Sequence, residues 1–317
     1  MKRALLVGID EYEQFQSLDG CVNDVDAIEP LLHRNEDSSP NFDTQKRTSA
    51  TAGVTRDALL DDFDSLLCGG ADVALLYFAG HGAGSATDVA LVTEDGTPAT
   101  PGIAFSEVLA KVAASSVREV ILILDCCFSG GAGGIPQLAS SATTLRDGVS
   151  ILAASRGDQT AMETANGRGL FSSLLGGALE GGAADVIGKV TIAGLYSYLD
   201  ESFGAWDQRP AFKANVDRLH ELRRCRPAVP LTELRQISEL FPAADHLFRL
   251  DPSYEPDAEL GNSEHERVFS TLQKYRAAKL LEPVGAEHMY FAAMESKACR
   301  LTPLGRHYWQ VATDGRL

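Results

Sequence analysis

Two aliphatic runs, each ending in a short polar signature, constrain the fold of this chain more than any other feature. Val73-Ala74-Leu75-Leu76 leads into Tyr77-Phe78-Ala79-Gly80-His81-Gly82, and Val120-Ile121-Leu122-Ile123-Leu124 leads into Asp125-Cys126-Cys127-Phe128-Ser129-Gly130. Continuous aliphatic runs of this length suit strands buried on both faces of a parallel sheet. Chemistry-bearing residues just past such strand ends lie where open α/β sheets place their active sites. A histidine thus precedes a cysteine by 46 residues, each at the end of a predicted strand.

The surrounding pattern alternates strand and helix. Residues 3–10 read as a first strand, and Asn23 is positioned to cap a helix over Asp24–Arg34 with Val25, Ile28, Leu31 and Leu32 on one face. A short strand is expected at Thr44–Thr48. Thr55 opens a second helix that Gly69-Gly70 ends, and Ser106 caps a third that reaches Ser115. Val89–Val92 and Val149–Ala154 read as strands, and Phe171–Leu179 and Thr191–Phe203 as helices. Strands alternating with helices imply a mostly parallel sheet flanked by helices on both faces. Between residues 129 and 147 the composition shifts to Gly, Ala, Ser and Thr, which reads as a flexible connector.

The chain has 317 residues, enough for two domains, and 44% of them are apolar. The apolar runs are strand-sized and none approaches the ~20 residues needed to span a bilayer. Met1-Lys2-Arg3 begins a strand and not a signal peptide, because Asp10-Glu11 cuts the apolar stretch short. The six cysteines show no CxxC spacing and are far too sparse for a disulfide scaffold, which points to the reducing cytoplasm. A net charge of −16 argues against nucleic acid and anionic membrane as partners and favours basic protein segments.

A second change of character comes at Leu219–Pro230, where Arg223-Arg224-Cys225-Arg226-Pro227 and Pro230 read as a linker. The organisation expected is therefore a domain over 1–218, a linker over 219–230 and a small, mainly helical domain over 231–317. In the latter, Glu264–Leu281 reads as an amphipathic helix, Met289–Met294 as a strand or wing, and Thr302-Pro303 as the start of a final helix. That order is weakly similar to a winged helix. Residues 228–317 carry 10 Lys and Arg against 13 Asp and Glu, so a protein-interaction or autoinhibitory role suits them better than reading DNA.

A cysteine nucleophile needs thiolate character and a base or cation beside it, which His81 can supply if the two strands are neighbours. Gly82 and Gly130, following the histidine and the cysteine pair, let backbone N–H groups approach a substrate carbonyl. Such donors stabilise the oxyanion of acyl transfer, about 3 kcal/mol each.

The pair YFAGHG and DCCFSG resembles the caspase superfamily, and within it the metacaspase and bacterial caspase-like branch. Gly20-Cys21-Val22-Asn23-Asp24-Val25 is similar to the GCxND segment of metacaspases, and Ile151-Leu152-Ala153-Ala154-Ser155-Arg156 to the strand that begins the small subunit. The resemblance covers roughly residues 3–216 and implies the caspase-haemoglobinase fold and cysteine endopeptidase chemistry. By position it makes His81 the catalytic histidine, Cys127 the nucleophile, and Gly82 with the Cys127 amide the oxyanion site; Cys126 lies where family members vary. Asp24 matches an acidic residue of the metacaspase specificity pocket, and Asp125, which precedes the cysteine pair, supplies a second carboxylate. Two carboxylates bind a guanidinium more strongly than an ammonium and repel an aspartate, so cleavage after Arg, and secondarily Lys, is implied. Taken as single residues, Asp24 also suits a first-turn helix acid and Asp125 a strand-end cap.

Two departures bear on the resemblance. Phe128 stands where metacaspases usually have histidine, and Gly130-Gly131-Ala132-Gly133-Gly134 lacks the acid that contributes to calcium binding in calcium-dependent members. Asp88, Glu94 and Asp95 are too few and scattered for a closed calcium site, so neither a metal nor another cofactor is expected. The connector contains Arg146, a candidate activation cut made by the chain itself or by an upstream protease. The function expected is a zymogen endopeptidase acting on proteins with exposed basic residues, and the family suggests bacterial stress or phage defence. The competing expectation is a catalytically silent scaffold or regulator working through the C-terminal domain.

Overall fold

The computed structural model describes residues 1–84, 88–129, 145–154, 168–203, 210–256 and 262–317, and at 127–129 the backbone alone. The expected connector between 130 and 144, with Gly130 and Gly131–Gly134, lies outside the described residues, as do Ser155 and Arg156. The chain divides into two compact units, Met1–Ala184 with Lys189–Cys225, and Asp185–Gly188 with Arg226–Leu317.

The first unit is built on a mixed, mostly parallel sheet. Its main path runs β2 (Asp43–Thr48), β1 (Lys2–Gly8), β3 (Val73–Gly84), β6 (Glu119–Ser129), β7 (Val149–Ala153) and β9 (Ala211–Asn215). The pairs among β2, β1, β3, β6 and β7 are parallel, and β9 closes the edge antiparallel to β7. Two short strands, β4 (Val89–Val92) and β5 (Gly102–Ala104), hang antiparallel from the end of β3.

Successive strand side chains point to opposite faces, so each buried run feeds two cores. On one face Leu5, Val7, Leu76, Phe78, Leu122 and Leu124 pack against α2 (Arg56–Leu67) and α3 (Phe105–Ala114). On the other, Leu6, Leu75, Tyr77, Ile121 and Ile123 meet α1 (Cys21–His33), α4 (Leu170–Gly177) and α5 (Ile192–Ser202). This is the helix-covered α/β architecture that uninterrupted aliphatic strands predict.

Local caps differ from the expected ones in two places. Asn23 lies inside α1, whose first N–H groups are satisfied from a distance: the Asp10 carboxylate accepts from the amides of Cys21 at 2.8 Å and Val22 at 3.2 Å. Ser106 lies inside α3 and donates its hydroxyl to Asp88. Thr55 and Thr191 cap α2 and α5 as their sequence positions predict. Within the stretch 219–230, Leu222, Arg223, Cys225 and Val229 are buried, and β10 (Arg223–Arg224) pairs with β8 (Lys189–Val190); the two units change over between Cys225 and Arg226.

The second unit contains α6 (Leu231–Leu234), α7 (Ile237–Leu240), α8 (Ser263–Ala277), α9 (Met289–Met294) and α10 (Pro303–Thr313) around a small antiparallel sheet. The sheet order is β11 (Phe248–Arg249), β13 (Ala298–Leu301), β12 (Leu281–Val284). Met289–Met294 is a helix and not a strand or wing: Met289, Ala292 and Ala293 face the core at helical spacing, while Tyr290, Phe291 and Met294 are exposed. Asn262 and Thr302 cap α8 and α10. No helix among the described residues is long and apolar enough to cross a membrane.

Candidate active site

The two signatures lie on adjacent strands. The parallel ladder between β3 and β6 runs from Val73↔Glu119 to Ala83↔Ser129, and within it His81 and Cys127 are direct partners. Strand pairing therefore continues through both signatures, where the sequence suggested strand ends at Phe78 and Leu124. Cys126 pairs with Gly80 and is buried in the core, which separates it from any surface chemistry.

His81 is held from three sides. Its Nε2 lies 2.7 Å from the Gln16 carbonyl oxygen. A carbonyl only accepts, so Nε2 carries a proton and Nδ1 is left to exchange one. The His81 amide donates to the Tyr12 hydroxyl at 2.8 Å, which in turn donates to the Ile9 carbonyl. The Tyr12 ring lies 4.8 Å from the imidazole, centre to centre, and Phe15 flanks it at 6.3 Å. Burial raises the Tyr12 phenol far above its ordinary range, so it stays neutral.

Asp24 and Asp125, more than a hundred positions apart in the chain, converge. Strand periodicity puts Asp125 on the same face as Ile121 and Ile123, which is the face covered by α1 and α4. There its carboxylate accepts a short hydrogen bond from the Ser172 hydroxyl, and Ser172 has one proton to give, so the Tyr77 hydroxyl, at 2.5 Å, must donate to Ser172. Asp24, in the first turn of α1, is 2% exposed. Burial, with the negative Asp125 nearby, raises its carboxyl to about 7, against the opposing pull of the Gly169 N–H and Arg168.

The two acids have company. Arg168 Nε donates to Asp24 Oδ1 at 3.1 Å, and the Gly169 N–H donates to Asp24 Oδ2 at 3.2 Å. A Cβ on Gly169 would stand 3.2 Å from an oxygen of each carboxylate, so the glycine backbone runs between them where a side chain would crowd both. Cys21 also lies beside these acids; burial and the charges of Asp10, Asp125 and Asp24 hold its thiol protonated.

The structure brings together the pairs that the sequence singles out, His81 beside Cys127 and Asp24 beside Asp125. Gln16, Tyr12, Ser172 and Arg168 carry no local motif, since they meet these residues only through the tertiary fold, and Tyr77 stands in the first signature with no role readable there. Arg146 is not a freely solvated side chain. Its guanidinium donates to the carbonyls of Val112 and Val117, both at 2.8 Å, and of Asp147 at 2.7 Å.

A family model described as "Caspase domain" matches residues 1–216. A protein named paracaspase from Dictyostelium discoideum is 28% identical over 131 residues; the match covers 40% of this chain and 31% of that protein's length. Among solved structures, protein GSU0716 from Geobacter sulfurreducens superposes with a TM-score of 0.53 at 15% identity, covering 71% of this chain and 97% of that one. Caspase-1 from Spodoptera frugiperda gives a TM-score of 0.47 at 13% identity, over 71% of this chain and 90% of that one.

Proposed function

Because the chain belongs to the caspase-domain family of cysteine peptidases, we propose that it is an endopeptidase that cuts proteins after arginine, and secondarily lysine. The observation that carries the specificity is the convergence of the Asp24 and Asp125 carboxylates in one largely buried space. Two carboxylates so placed suit the planar fork of a guanidinium better than the point charge of an ammonium, and they exclude an aspartate. The nucleophile is Cys127 and the acid–base group is His81, supported by their pairing across β3 and β6.

In this reading the Cys127 sulfur attacks the scissile carbonyl carbon, and the backbone N–H groups of Gly82 and Cys127 receive the developing oxyanion. His81 Nδ1 takes the Cys127 thiol proton as the sulfur attacks and delivers it to the leaving amine as the C–N bond breaks; it then takes a proton from the water that hydrolyses the thioester and returns it to the departing Cys127 sulfur. The Gln16 carbonyl fixes the ring so that Nδ1 and not Nε2 does this work. No step draws on a metal.

The chain is a zymogen cut in its connector, and Arg146 is the arginine available to a protease of this specificity. Its hydrogen bonds to three carbonyls must open before it can enter any active site. An Arg146→Ala variant that activates normally removes this site. The C-terminal unit serves regulation or partner binding, in a bacterial stress or phage-defence pathway of the kind the family resemblance suggests.

The test is hydrolysis of fluorogenic peptides ending in Arg, Lys or Asp by the full-length protein, with and without calcium, alongside Cys127→Ala. Arg-selective turnover that Cys127→Ala abolishes is the expected result. Silence toward all three, persisting after limited proteolysis of the connector, would favour a non-enzymatic scaffold.

A further inference from the structure

Two carboxylates brought together away from water call for a cation, and in this chain the cation is internal. Arg168 Nε bonds Asp24 Oδ1 at 3.1 Å, and Arg168 Nη2 bonds the Ser172 carbonyl at 3.1 Å. The Arg168 side chain is only 24% exposed. The next residue, Gly169, adds its N–H to the other oxygen of Asp24 and runs between Asp24 and Asp125. The contacts expected of a bound arginine, a charged guanidinium on a buried carboxylate with a backbone amide alongside, are thus made by the chain itself.

We propose that Arg168 is a tethered occupant of the arginine pocket, so that a substrate arginine must displace it to bind. This rests on the pocket reading of Asp24 and Asp125 given above. Because Arg168 is covalently attached, it competes at an effective concentration on the order of millimolar or more. Apparent affinity for a substrate arginine falls by the fraction of molecules in which the pocket is vacated. Arg168 therefore sets how tightly, and how selectively, the pocket takes external cations.

The opposing account is that Arg168 is a brace, holding Asp24 where substrate needs it. The two accounts predict opposite signs. The probe is N-acetyl-arginine amide, titrated calorimetrically into full-length Cys127→Ala and into the same protein carrying Arg168→Gln or Arg168→Lys. The Cys127→Ala background separates binding from turnover. A tethered occupant predicts that Arg168→Gln tightens probe binding about tenfold or more, that Arg168→Lys lies between, and that adding Asp24→Asn to Arg168→Gln removes the gain. Binding by Arg168→Gln that is equal to or weaker than that of its parent overturns the proposal and leaves the pocket reading standing. Failure of every form, including the parent, to bind at millimolar probe overturns both. Circular dichroism identifies a variant that has lost its fold, and Arg168→Lys then carries the comparison.

Discussion

Replacing Asp24 with asparagine should stabilise the protein at alkaline pH while disabling the pocket. The Asp24 carboxyl is raised from 3.8 to about 7 by burial and the neighbouring Asp125 charge. An acid that is harder to ionise when folded costs nothing below pH 3.8, where both states are protonated. Between pH 3.8 and 7 the unfolded chain ionises first and gains, and above about 7 the penalty is constant. About three pH units at ~1.4 kcal/mol each set a ceiling of about 4 kcal/mol. Asparagine keeps an oxygen for the Gly169 N–H but gives up the ion pair with Arg168, which returns part of that gain. The cleaner quantity is the change with pH: the advantage of Asp24→Asn over wild type should grow by about 2–3 kcal/mol between pH 5 and pH 8. Urea unfolding followed by circular dichroism at the two pH values measures it. Stability differences that do not change with pH would refute the argument, because they would show that Asp24 ionises as readily folded as unfolded.

Three further outcomes are expected. Ser172→Ala strands the buried Tyr77 hydroxyl and removes one hydrogen bond from the Asp125 carboxylate, costing about 1–3 kcal/mol of stability and raising KM for arginine peptides more than it lowers kcat. Acidification from pH 8 to pH 6 should raise KM for arginine peptides as the Asp24 carboxylate takes up its proton, and Asp24→Asn should flatten that profile. Gly305→Ala would place a methyl 1.9 Å from the Leu280 carbonyl oxygen, so it should lower the unfolding midpoint of the second unit, read from Trp309, whose indole donates to the Phe241 carbonyl; an unchanged Trp309 transition counts against that close approach.

The sequence was most legible where packing and chemistry coincide. Aliphatic strands buried on both faces leave little choice of element, so β1, β3, β6 and β7 are legible in their aliphatic runs, although β3 and β6 extend past the ends that those runs suggest, through the two signatures. Caps were legible when local, as at Thr55 and Thr302, and illegible when supplied from afar: Asn23 looks like a cap, but Asp10 across the strand–helix turn does the work. Met289–Met294 misled because six apolar residues suit a strand as readily as one face of a short helix, and tertiary packing decided. Arg168 could not be found at all, since nothing in Gly167-Arg168-Gly169 announces that its guanidinium will meet an acid 144 positions earlier.

The path of the chain bears on how this protein can be dismantled. Asp185–Gly188 belongs to the second unit although the segments before and after it belong to the first, and Val186 and Ile187 pack onto the second unit's core. The backbone therefore visits that unit twice, first as a four-residue excursion and then for good after Cys225. A single nick at the Cys225–Arg226 boundary severs one covalent connection and leaves the excursion still lodged in its partner core. A truncation at the same boundary leaves Val186 and Ile187 without the side chains they pack against. Gene trimming at that boundary should therefore yield a sticky remnant rather than a tidy module.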